Sequence, residues 1–166
     1  MTLPIRFFPD PVLRAKNQTV TEFDESLAAI LKKMDAAMRA QTSGIGIAAP
    51  QVGISKRIAL VDVSSRVAGA KRLVLINPEI LEMRDERASR EGCMSLPDYT
   101  ANLKRYDWIR AVWQDETGRS NEALFTGIEA ICFQHEVDHL DGILFIDRVT
   151  MLKQDLIPRP KSRGKR

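Results

Sequence analysis

The chain has 166 residues, 44% of them hydrophobic, which suits one globular domain with its own core. Its net charge of +3 is uneven: Arg159, Lys161, Arg163, Lys165 and Arg166 follow Leu156 with no acid among them, leaving −2 for the rest. A basic nucleic-acid-binding body is thereby excluded, and two cysteines are too few for a disulfide framework, so a cytoplasmic protein is expected.

MTLPIRFFPDPVLR holds no long apolar run, so neither a signal peptide nor a membrane span is expected. Three prolines make 4–20 irregular, with Pro11 opening a short turn. A helix is predicted over 22–40, where Leu27, Ile30, Leu31, Met34 and Met38 share one face; Thr21 and Asp24 have capping-box spacing. Glycines and a proline keep 43–53 out of a helix interior. Segments 57–63 and 73–80 read as strands joined by a loop, and 82–91 as strand or loop. A strand over 106–114, a turn at 115–118 and a returning strand over 120–126 follow. A second helix starts near Gly127, with Thr126 and Glu129 at capping-box spacing, and ends at Gly142; 143–149 reads as one more short strand. The pattern predicts a single α+β domain over 1–152. Antiparallel or mixed sheets pack around the second helix, with an N-terminal helix beside them, and a basic flexible tail covers 153–166.

Both histidines of the chain, His135 and His139, lie in QHEVDH on that second helix. Four residues turn a helix by roughly 400°, so the two imidazoles share a face and can meet one ion. Glu136 lies about 100° away and can reach a water on that ion, the logic of the H-E-x-x-H pattern. The pair lacks a third ligand. Cys132 is on the same helix but about 10 Å along the axis from His139, so it reads as a buried structural thiol. Cys93, in EGCMSLP, comes from elsewhere in the chain and is the favoured third donor, with Asp141 an outside candidate. Soft sulfur with two nitrogens suits zinc.

Three motifs, GIGIAAPQVG (44–53), EGCMS (91–95) and QHEVDHLDG (134–142), in this order and spacing, resemble those of the peptide deformylases. The resemblance implies one divalent metal on Cys93, His135 and His139, ferrous iron in the cell, with zinc or nickel able to replace it. It implies Glu136 as proton carrier, with the Gln51 amide and the Met94 backbone N–H stabilising charge on a formyl oxygen. It further implies an extended N-formylmethionyl peptide along Ile45, Gly46 and Gly92, and a Glu91–Arg105 pair steadying the cysteine segment. Asp138 would orient a histidine or anchor the helix, and Ile131, Cys132 and Phe133 are candidates to line an apolar methionine pocket. A monomer is expected, with no membrane partner and a transient ribosome contact through the tail. Met94 stands where leucine is usual, and TANLKR (100–105) keeps Arg105 but lacks an earlier arginine and a proline of the family. That departure bears on peptide preference beyond the first residue. A general metalloprotease and a non-catalytic peptide binder are the competing readings.

Overall fold

A computed structural model describes residues 2–160. Helix α1 spans Glu25–Arg39, and its cap is Asp24, not Thr21: the Asp24 carboxylate accepts from the N–H groups of Ser26 (3.0 Å) and Leu27 (3.2 Å). The face carrying Leu27, Leu31, Met34 and Met38 is buried, as its spacing predicts, against Ile47, Ile58, Leu60 and Ile76. Met34 is fully buried, so Met34→Ala is expected to lower stability in urea unfolding by about 2–5 kcal/mol.

The strands are β1 (Gly46–Ala48), β2 (Ile58–Val61), β3 (Leu73–Cys93), β4 (Leu96–Gln114), β5 (Ser120–Thr126) and β6 (Leu156–Pro158). They form one antiparallel sheet in the order β1-β2-β3-β4-β5, with β6 on a further stretch of β4. The polar run 82–91 is therefore strand, and 100–105 belongs to β4. Much of this hairpin is exposed on both faces, and cross-strand pairs join it: Glu86–Lys104 (3.0 Å), Arg87–Asp107 (2.6 Å) and Arg84 over the Trp108 ring.

Helix α2 (Gly127–Leu140) packs on β1, β2 and β4 through Ala130, Phe133, Val137 and Leu140. Thr126 precedes it without a side-chain cap, and Gly142 follows at φ +72°, the left-handed position expected of it. Asn17 closes the end by donating to the Leu140 carbonyl (2.9 Å), and Arg57 donates to the same oxygen (3.1 Å).

Two further expectations need correction. Segment 143–149 is not a strand: Phe145–Arg148 is a 3-10 turn, because Asp147 accepts from the Leu144 N–H (2.8 Å) and pairs with Arg14. Nor is the end loose from residue 153. Leu152–Asp155 is a helical turn, β6 pairs with Tyr99–Ala101, and Leu156 packs against the cluster holding Cys93 and Phe145. The expected tail residues 161–166 lie outside the described residues.

Candidate metal centre

Strand β3 ends at Cys93, which pairs with Leu96 across the two-residue turn Met94–Ser95. The hairpin turn thus delivers the thiol to α2. Cys93, His135 and His139 each offer one donor atom, and all three atoms lie within 4.8 Å of one another. Cys93 Sγ is 3.3 Å from His139 Nε2. The donors of a tetrahedral ion with bonds of about 2.0–2.3 Å stand roughly 3.3–3.8 Å apart, so the cluster fits one divalent cation. Neither Cys132 nor Asp141 belongs to it. Cys132 is turned toward the Ile45 carbonyl (3.5 Å), and burial, helped by the Glu136 charge, pushes its thiol well up. A protonated thiol is a poor ligand.

Glu91 does more than the motif suggests. Its Oε1 accepts from His135 Nδ1 (2.8 Å) and its two oxygens take the Arg105 fork at 2.8 and 2.9 Å. Burial alone would raise this carboxyl, but Arg105 and His135 overcome it and hold it at about 2. An ionised Glu91 fixes the proton on His135 Nδ1, which leaves Nε2 for the cation. Burial pushes His139 well down, toward the neutral imidazole a metal requires. His135 is drawn upward by Cys93 and Glu91 against burial, so a bound cation competes there with a proton.

Arg105 also donates to Asp138 (2.5 Å), which takes Arg148 at 2.5 and 2.6 Å. Asp138 thus anchors α2 to β4 and the 3-10 turn; the orientation of a histidine falls to Glu91.

Glu136 is 3% exposed, and its Oε2 has no hydrogen-bond partner among the described residues. Burial raises its carboxyl to about 7, against the pull of His135 and Arg105. Gln51 is fixed at both ends: its Oε1 accepts from the Ala48 N–H (2.9 Å), and its Nε2 faces Ser95 Oγ (3.2 Å) and Cys93 Sγ (3.5 Å). Ser95 was not foreseen; it is fully buried, and nothing in its own spacing marks it.

A Cβ on Gly46 would lie 2.5 Å from Glu136 Oε1 and 2.8 Å from Cys132 Sγ. The glycine therefore makes room for the carboxylate itself. Gly46→Ala is expected to displace Glu136, costing about 1–3 kcal/mol in thermal unfolding and most of kcat; unchanged kcat would count against this packing. Of the methionine-pocket candidates, Cys132 lies beside Gly46, whereas Phe133 stacks within the core on Phe125 (5.1 Å) and is not free to line a pocket.

A family profile described as polypeptide deformylase matches residues 2–155. A peptide deformylase of Heliobacterium modesticaldum is 47% identical over 140 residues, spanning 84% of this chain and 89% of its own. One from Thermodesulfovibrio yellowstonii is 44% identical over 93% of each chain. Among solved structures, peptide deformylase from Thermotoga maritima aligns at TM-score 0.84 with 40% identity, covering 91% of this chain and 99% of that one. A Met-Ala-Ser-bound structure of the Acinetobacter baumannii enzyme aligns at 0.83 with 33% identity, covering 90% and 99%.

Proposed function

The chain belongs to the polypeptide deformylase family, and from that premise we propose a role for each residue around its metal cluster. It is a metal-dependent hydrolase that removes the formyl group from formylmethionyl peptides, leaving formate and a free amine. One observation carries this reading: a cysteine from β3 supplies the third donor beside the helical His pair, with Glu136 adjoining them.

Cys93, His135 and His139 would hold a divalent cation, ferrous iron in the cell by family likeness, which would acidify a water and polarise the formyl carbonyl. Glu136 takes the proton of the attacking water at its carboxylate and gives it to the departing amine nitrogen. A carboxyl raised to about 7 is suited to both halves of that task near neutral pH. The Gln51 amide, oriented by Ala48, donates from Nε2 to the oxygen where charge builds, and the Met94 backbone N–H is the second donor. Glu91 holds His135 in register, and Arg105 holds Glu91.

The peptide lies extended between Ile45–Gly46 and Gly92. β1 is the end strand of the sheet, and β2 pairs with β3 only over Leu73–Ile76, so both segments offer an edge to a guest strand. We further assign a ribosome contact to the basic residues beyond Arg159, which follow the β6 strand that packs on the catalytic domain. We also propose that the protein acts as a monomer in the cytoplasm. No helix among the described residues is long and apolar enough to cross a membrane.

Incubation with formyl-Met-Ala-Ser and with unblocked Met-Ala-Ser tests the activity. Formate from the first, with no peptide-bond cleavage in either, is expected. Cleavage of the unblocked peptide would instead favour a protease.

A further inference from the structure

We propose that Arg159, carried in by the C-terminal strand, is a specificity residue that favours peptides with an acidic side chain at either of the two positions after the formylmethionine. The ladder of β6 on β4 continues past Pro158: the Arg159 N–H donates to the Asp98 carbonyl (2.7 Å). This turns the side chain back over Gly92, where a Cβ would stand 2.0 Å from Arg159 Nη2. The missing side chain of Gly92 is thus the cradle in which the guanidinium rests. Gly92 directly precedes Cys93, so the charge sits one residue from the metal cluster.

Strand alternation puts Glu91 and Cys93 on the buried face and Gly92 on the other. Arg159 therefore stands at the rim, positioned to meet a substrate side chain and not the reacting formyl group. A second cation shares the place. Gly92 pairs with Thr100, and Arg90 donates to Thr100 Oγ1 (3.3 Å). Among the described residues, neither Arg90 nor Arg159 makes an ion pair within 4.0 Å. Two exposed guanidiniums without a carboxylate therefore lie at the Gly92–Thr100 pair, beside the β3 edge proposed for the peptide. A strand-like peptide advances about 3.3 Å per residue, so its second and third side chains fall within an arginine's reach of that edge. On a growing chain those side chains, and not a terminal carboxylate, are the available anions.

The inference rests on the peptide path proposed above. Its test compares kcat/KM for formyl-Met-Ala-Ser-amide, formyl-Met-Glu-Ser-amide and formyl-Met-Ala-Glu-amide at low salt, in wild type, Arg159→Ala and Arg84→Ala. Arg84 is an exposed cation farther out on the hairpin. Wild type is expected to prefer at least one acidic peptide by about three- to fivefold, through KM, and to lose the preference as salt is raised. Arg159→Ala abolishes the preference and Arg84→Ala retains it. The same ratio in wild type and Arg159→Ala, or an equal loss in Arg84→Ala, overturns the assignment of Arg159 while leaving the deformylase reading intact. If wild type releases formate from none of the three, the deformylase reading itself fails and this inference with it.

Discussion

Glu136→Gln is expected to leave the cation bound and to cut kcat for formate release by on the order of a thousandfold, the scale of a lost proton carrier. The glutamine keeps the shape and volume of the side chain but cannot shuttle the water's proton to the amine. None of the donors within 4.8 Å of one another comes from Glu136, so metal content should match wild type. Stability should move the other way. The native carboxylate is buried with Oε2 unpartnered among the described residues, and burial, against the pull of His135 and Arg105, raises it to about 7. A neutral amide in its place removes a desolvation cost, so the melting temperature should hold or rise. Activity within tenfold of wild type would remove Glu136 from the proton path.

Arg105→Ala is expected to damage both stability and metal binding. Arg105 is 2% exposed and joins two buried carboxylates, Glu91 and Asp138. Its loss leaves Glu91 uncompensated on the arginine side, whereas Asp138 keeps Arg148. Breaking a buried pair from one end costs about 3–5 kcal/mol. The effect should also reach the metal, because Glu91 sets the His135 ring through its 2.8 Å bond. Affinity for the cation is expected to fall about 10–100-fold, read by chelator competition, alongside the loss in urea unfolding. A variant destabilised but with unchanged metal affinity would reduce the network to a structural brace.

The site was more readable in the sequence than the surroundings that tune it. Two histidines one helical turn apart, in a chain with no others, have few meanings, and their shortage of a ligand points away from the helix to Cys93. The Glu91–His135 bond joins β3 to α2, and no local pattern encodes so distant a contact. Segment 82–91 was ambiguous for a related reason: most of its residues are exposed on both faces, so strand alternation has nothing to sort, and pairs such as Glu86–Lys104 lie across the hairpin. Segment 143–149 has strand-like composition, yet the Asp147 cap bends it into a 3-10 turn. Leu156 and Ile157 sit among basic residues and prolines that suggest a loose end, but the free side of β4 at Tyr99–Ala101 gives them a ladder. Apart from that local cap, a partner remote in sequence decides the outcome.

The central claim is that the cation is held by one cysteine at the end of β3 and two histidines from α2. Anaerobic metal analysis of wild type, Cys93→Ala and Cys132→Ala tests it most directly. One equivalent of divalent metal in wild type and in Cys132→Ala, with loss from Cys93→Ala, is the predicted result. A full equivalent retained by Cys93→Ala and lost from Cys132→Ala would contradict it.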